Sequence, residues 1–398
     1  RSVVFFTMRA ARYAAAAGAA GLSGKGRVAR AEPNDVFSHP HNPPLTDRFP
    51  PVGILPRLPM KGGVAMTHME YFPLFRLREF AASPENIERA RQHKPGRRAP
   101  NKQQVELIET IRKHFVQERG DGPGVKLFLY ELQEVPWEYW GNKVEHAPAV
   151  LPGGFPEEKV ECMLDFANKR LGGGYLTYGM VQEEKLVLER FEIAVALAMG
   201  KHRSRPGMES TFSMSPTQAW VIQGARRWAS LGFYGWTPKD WQKKISLLTP
   251  AQDEYAPVIL ALDCIKADFV QYERRHLEAL LLKAYVGFTA VTANDPRPAE
   301  AAPPVSRIAT GNWGCGAFFN NPQVMYAVQA LAAALAGARL NYYAFGVDLT
   351  VGRGLVDRWI SEGTSVEQAL DELAELCRSG EEWRTSFKPG ADWLKGKM

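Results

Sequence analysis

Two junctions in this sequence have the same design. An apolar stretch runs into a glycine-rich turn, and the turn runs into a helical stretch. The first is CMLDFANKRLGGGYLTYGMVQEEKLVLERF, residues 162–191. The second is SRIATGNWGCGAFFNNPQVMYAVQALAAALAGA, residues 306–338. Around them the alternation continues: VKLFLYELQEV and PVILALDCIKADFV read as strands, RRHLEALLLKAYVGF as a helix, and LNYYAFGV as a further strand. SVEQALDELAEL opens with a Ser-x-x-Gln capping box at Ser365 and Gln368. Strands alternating with helices bury their apolar faces only as layers, so the pattern predicts an α/β domain with helices packed against a sheet. No internal repeat is present.

The 398 residues are 45% hydrophobic, enough for a large core and two or three domains. Forty-nine basic against 43 acidic residues leave a formal charge of +6, which permits an anionic partner without requiring one. The cysteines Cys162, Cys264, Cys315 and Cys377 are widely spaced with no Cys-x-x-Cys pair, against a zinc site or a disulfide scaffold and in keeping with a reducing compartment. The His-x-His of His39 and His41 reads as part of a Pro-rich loop. No apolar run is long enough to span a membrane.

Five regions are expected. Residues 1–31 are Ala-rich, carry Arg1, Arg9, Arg12, Lys25, Arg27 and Arg30, and have no acidic residue; that is the composition of a transit sequence, mitochondrial in preference to plastid. Residues 32–62 form a Pro-rich extended arm that cannot sustain a helix. Residues 63–123 form a helical accessory region, in which Val105, Ile108, Ile111 and Phe115 mark an apolar face and RQHKPGRRAPNK a solvated basic loop. Residues 124–378 form the α/β domain, and 379–398 a tail.

Side-chain-free amides at a strand–turn–helix junction can approach an anion closely, helped by the positive end of the helix dipole. Gly172, Gly173 and Gly174 offer one such cradle and residues 310–322 a second, a pairing that suits a diphosphate. Glu183 and Glu184 open the first helix. Adjacent carboxylates and burial raise proton affinity, whereas a helix N-terminus lowers it, so this pair is either a general acid with a helper or a helix's acidic first turn. Asp165 is a third carboxylate, placed to meet a sugar hydroxyl.

LDFANKRLGGGYLTYGMVQEE resembles the signature of the poly(ADP-ribose) glycohydrolases, a triple glycine followed by Gln-Glu-Glu. IATGNWGCGAF is similar to that family's downstream stretch, with LALDC and KAYVGF in order between them. The resemblance runs from about residue 160 to 345 and fades towards 376. It implies a macrodomain-like mixed sheet sandwiched by helices, here with an N-terminal helical region and the Pro-rich arm. It further implies hydrolysis of the ribose–ribose O-glycosidic bond by carboxylate acid/base catalysis, without cofactor or metal. Glu184 would be the acid, Glu183 would hold ribose hydroxyls beside Gln182, and Asp165 and Asn168 would orient the sugar. Gly172, Gly173, Gly174 and the backbone of Gly314, Cys315, Gly316 and Ala317 would cradle the diphosphate, with Phe233 and Phe345 against the nucleoside.

The pattern also departs from the family. Tyr175 and Tyr178 stand where small residues are usual and would place rings beside the diphosphate path. Phe319, Asn320 and Asn321 replace glycines. The stacking tyrosine's place is taken by Phe233, with Tyr234 next to it, and Val347 replaces an acid. Two alternatives to an active poly(ADP-ribose) hydrolase follow. One is a catalytically retired subunit of a large mitochondrial assembly containing RNA or respiratory proteins, whose partners order the arm. The other is an ADP-ribose binder that does not cleave.

Overall fold

The computed structural model describes residues 58–59, 63–91, 100–118, 122–153, 160–203, 212–250, 256–293 and 301–386. The chain divides into units 1–50 and 51–398, and every described residue belongs to the second. The transit reading, most of the Pro-rich arm with His39 and His41, and residues 92–99 of the basic loop lie outside the described residues.

Nine strands form one mixed sheet in the order β1-β2-β3-β6-β9-β5-β10-β11-β4. They are β1 (Leu58–Pro59), β2 (Val64–Phe72), β3 (Val125–Leu132), β4 (Ala149–Leu151), β5 (Cys162–Ala167), β6 (Gln218–Gln223), β9 (Val258–Asp263), β10 (Ile308–Gly311) and β11 (Leu340–Tyr343). A separate hairpin pairs β7 (Ala229–Leu231) with β8 (Ile245–Leu247). From β9 to β4 all neighbours are parallel, and from β1 to β6 all are antiparallel. One face is covered by α6 (Arg274–Thr292), α7 (Pro322–Ala336), α8 (Thr350–Glu362) and α9 (Val366–Ser379), whose apolar residues join those of the strands in one core. Towards the other face lie α1 (Leu74–Ala82), α2 (Pro84–Arg91), α3 (Lys102–Gln117), α4 (Gln182–Glu189) and α5 (Phe191–Arg203), with α4 packed on β5 and α5 on β3. Helices on both faces of a mixed sheet are the expected α/β sandwich.

Local signals account for the ends of several helices. Asn321 caps α7 by accepting from Gln323 N–H, Pro322 starts it, and Gly337 ends it at φ 67. The Ser365–Gln368 capping box is present at α9. The structure redraws two boundaries. Residues 63–123 are not a separate helical region, because β2 pairs with β3 over eight residues and so belongs to the main sheet. The tail does not begin at 379. Thr385 N–H donates to Val270 C=O, Ser386 N–H to Phe319 C=O, and Trp383 is buried, so the domain extends to at least 386.

Candidate active site

The parallel strands β5 and β10 pair only at Cys162 and Met163, whereas β5 pairs with β9 along its whole length. Beyond Met163 the Gln182 carboxamide closes on β5 as a strand would. It accepts from Phe166 N–H at 2.8 Å and donates to Leu164 C=O at 3.0 Å. The gap opens at the C-terminal ends of the parallel strands, where ligands of open α/β sheets bind. Both glycine-rich loops leave this edge from neighbouring strands.

Gln182 at the first turn of α4 is followed by Glu183 and Glu184, which are buried beside Asp165 of β5. Glu183 accepts from Asn168 N–H at 2.9 Å and Gly172 N–H at 2.6 Å. Glu184 accepts from Gly174 N–H at 2.8 Å and Val181 N–H at 3.1 Å. Neither Asp165 carboxyl oxygen has a hydrogen-bond partner among the described residues. Burial, with the Glu184 charge adding to it, pushes the Asp165 carboxyl up to about 8. Burial, Asp165 and Glu184 hold Glu183 well above the carboxylate range, against the pull of the Asn168 and Gly172 amides. Burial also raises Glu184, opposed by the amides of Gly174, Glu184 and Val181. The site therefore holds three acids that share fewer than three charges near neutrality.

Gly173 is exposed at φ 50 and stands directly in front of the acids. A Cβ there would lie 2.5 Å from Glu184 Oε1 and 2.6 Å from Glu183 Oε2. A side chain would close the approach, which explains the glycine. The expected diphosphate cradle at Gly172–Gly174 takes a different form. Gly172 and Gly174 donate to the two glutamates, and Gly173 N–H donates to Arg170 C=O at 3.1 Å. Two of these amides position carboxylates and the third closes a turn, so none is left for a phosphate in this arrangement.

The loop after β10 arches across the end of β5 to β9. Trp313 Nε1–H donates to Leu262 C=O at 3.0 Å, and the Asn320 amide donates to Ile265 C=O at 2.8 Å and Gly314 C=O at 3.2 Å. Its Gly314, Gly316 and Ala317 N–H groups donate to nothing among the described residues, while Cys315 N–H is taken by Asn312 C=O. Phe319 is buried at φ 62, a conformation glycine adopts freely and phenylalanine only with strain. The chain thus makes a left-handed turn here with a bulky side chain. Asn320 and Asn321 are supports: Tyr272 O–H donates to Asn320 at 3.0 Å, and the Asn321 amide holds Glu382 and Arg384 carbonyls at 2.7 and 2.6 Å.

The remaining expected residues divide. Phe345, 47% exposed and at φ 51, lies with Phe166 over Gly311, at the rim of the gap. Asn168 contributes its backbone N–H to Glu183, and its side chain accepts from Arg170 N–H at 3.2 Å. Phe233 is half-buried, and its neighbour Tyr234 is the residue that reaches the acids. Tyr234 is 64% exposed; burial raises its phenol, the Gln182 backbone lowers it, and the Glu184 charge raises it. Tyr175 does not obstruct the path, because it is buried and its hydroxyl donates to Ala194 C=O of α5 at 3.0 Å. Tyr178 is 54% exposed. A cavity of about 920 Å³ near Lys143, His146 and Arg339 lies at the end of α7 and the start of β11, away from the acids.

Residues 155–350 match the family described as poly(ADP-ribose) glycohydrolase, macro domain fold. The chain is similar to poly(ADP-ribose) glycohydrolase 2 of Caenorhabditis elegans, 30% identical over 207 residues, 48% of this chain and 38% of the relative. It is also similar to poly(ADP-ribose) glycohydrolase 1 of Arabidopsis thaliana, 26% identical over 266 residues, 52% of this chain and 46% of the relative. The matches thus span less than half the length of these relatives. A solved poly(ADP-ribose) glycohydrolase from Thermomonospora curvata, bound to the inhibitor ADP-HPD, is 20% identical with a TM-score of 0.31, covering 72% of this chain and 99% of that one. One from Deinococcus radiodurans in complex with ADP-ribose is 16% identical with a TM-score of 0.30, covering 68% and 99%. With Gly-Gly-Gly and Gln-Glu-Glu brought together on one mixed α/β sheet, residues 155–350 of this chain belong to the poly(ADP-ribose) glycohydrolase family.

Proposed function

We propose that this chain hydrolyses the ribose–ribose O-glycosidic bond of ADP-ribose polymers, with Glu184 as the acid/base. One contrast carries the reading. Two buried acids elsewhere sit beside cations: Glu192 pairs with Arg226 at 3.2 Å, and Glu189 with Lys185 and with Arg227 at 3.3 Å. Asp165, Glu183 and Glu184 are buried with no ion pair among the described residues. Burying acids without a cation costs several kcal/mol unless they are protonated, and a carboxyl kept protonated near neutrality is what a general acid needs.

On this reading Glu184 protonates the leaving ribose oxygen as the bond breaks through an oxocarbenium-like state. The resulting carboxylate then takes a proton from the attacking water. Glu183, fixed by two amides, accepts from ribose hydroxyls, and Asp165 donates to one. The free amides of Gly314, Gly316 and Ala317 receive phosphate oxygen, and Tyr234 and Phe345 flank the nucleoside. Poly(ADP-ribose) incubated with the purified chain should release ADP-ribose, and Glu184→Gln should abolish release.

A second reading, binding without cleavage, is favoured by the two amides on Glu184, which stabilise its anion and oppose its work as an acid. Retention of ADP-ribose without release would establish it. Neither binding nor release, with co-purification in a mitochondrial particle, would point to the retired assembly subunit.

A further inference from the structure

The turn that carries both hydrogen bonds to Glu184 is held from outside. Gly174 N–H and Val181 N–H, at its two ends, bind the carboxylate, and a Cβ on Gly179 would lie 2.6 Å from Glu184 Cδ. Four carbonyls of the turn, those of Tyr175, Leu176, Thr177 and Gly179, go to the N-terminal helices and the cap of α3. Arg91 Nε–H donates to Leu176 C=O at 3.2 Å, and Asn101 N–H to Thr177 C=O at 2.8 Å. The fully buried Gln104 of α3 donates one amide hydrogen to Tyr175 C=O and the other to Gly179 C=O, both at 2.9 Å. Its carbonyl accepts from the buried Thr237 hydroxyl, in the loop that carries Tyr234. Met180 and Gly235 bridge the same two segments, through Gly235 N–H to Met180 C=O at 2.7 Å.

We propose that Gln104 is a positioning residue for Glu184: its carboxamide sets the span of the 174–181 turn and, through Thr237, ties that turn to the loop bearing Tyr234. The catalytic consequence rests on the glycohydrolase reading; the positioning does not. Every hydrogen-bonding group of the Gln104 side chain is used, in a place closed to water. Truncation leaves two carbonyls and a hydroxyl without partners, and the turn relaxes to find them. The amides of Gly174 and Val181 then move off Glu184.

Two readouts test this in the full chain, for Gln104→Ala, Thr237→Val and a control, Arg112→Gln. Arg112 lies on the same helix and donates to Ala81 C=O at 2.6 Å without touching either loop. The first readout is the ¹³C-carboxyl titration of Glu184, assigned by the signal lost in Glu184→Gln. The ionisable groups facing Glu184 are Asp165 from β5, Glu183 from its own helix and Tyr234 from the neighbouring loop. The second readout is kcat and KM on poly(ADP-ribose), with thermal midpoints to confirm folding.

Gln104→Ala should move the Glu184 midpoint upward, as amides that favour the anion are withdrawn, and lower kcat on the order of 10- to 100-fold with a smaller change in KM. Thr237→Val should do both to a lesser degree, and Arg112→Gln neither. Equal midpoints and kcat in Gln104→Ala and wild type overturn the proposal, as does an equal effect from Arg112→Gln. If the wild-type chain releases no ADP-ribose, the functional reading fails and the titration alone decides the positioning. If Gln104→Ala does not fold, Thr237→Val decides by the same readouts.

Discussion

The two glycine-rich loops leave neighbouring strands at one edge of the sheet, yet they use their backbone in opposite ways. The loop after β5 turns its amides inward onto Glu183 and Glu184 and gives its carbonyls to the N-terminal helices. The loop after β10 is fastened by Trp313, Asn320 and Asn321 side chains and leaves the amides of Gly314, Gly316 and Ala317 unengaged among the described residues. Glycine therefore serves two ends here: in the first loop it admits the protein's own carboxylates, and in the second it leaves room for a visiting anion. Similar sequence texture is no guide to which partner the backbone has taken.

The sharpest test of that contrast is one methyl group at each loop. Gly173→Ala drives a Cβ against both glutamates at a left-handed position, and kcat should fall on the order of 10²-fold or more. Gly316→Ala adds a Cβ with nothing within 4 Å and no positive φ, so the thermal midpoint should stay within about 2 °C of wild type. Equal effects at the two positions would break the comparison.

A second test separates strain from packing in the β10 loop. Phe128→Ala in the sheet core should cost about 3–5 kcal/mol. Phe319→Gly loses comparable apolar burial but gains about 1–2 kcal/mol of backbone relief at φ 62, so its net cost should be smaller by that amount in urea unfolding. A Phe319→Gly as costly as Phe128→Ala would mean that the turn is not strained.

A third test is read across pH and concerns the first loop's acids. Asp165 keeps its proton in the fold to about 8, whereas the unfolded chain releases it near 4. Between those values the native state binds more protons, so this contribution to stability is full below about pH 4 and falls as pH rises to about 8. The slope is at most about 1.4 kcal/mol per pH unit. Asp165→Asn removes the ionisation, so its stability relative to wild type should increase from pH 5 to pH 8. A difference that is flat or decreasing would place the charge elsewhere in the cluster.

Much of this was visible in residue order. The alternation of strands and helices, the Gly-Gly-Gly to Gln-Glu-Glu spacing and the Ser365–Gln368 box all rest on local patterns, and local patterns survive folding. What escaped depends on distant pairing. Nothing near Val64–Phe72 shows that this strand joins the main sheet, and nothing local separates buried Tyr175 from exposed Tyr178 in an irregular turn. Asn320 and Asn321 look like lost glycines until Tyr272 and the 382–384 backbone are seen on them. Gln104 did leave a trace. It falls in register with Leu107, Ile108, Ile111 and Phe115, the buried stripe of α3, whereas Val105 is only half-buried. A polar residue on a core stripe needs partners, and these partners are the turn that holds Glu184.

A crystal structure of the full chain with ADP-ribose tests the division of labour most directly. The account predicts the diphosphate on the amides of Gly314, Gly316 and Ala317, with Glu183 and Glu184 still held by Gly172 and Gly174. A diphosphate seated on the Gly172–Gly174 amides, with the glutamates displaced, would contradict it.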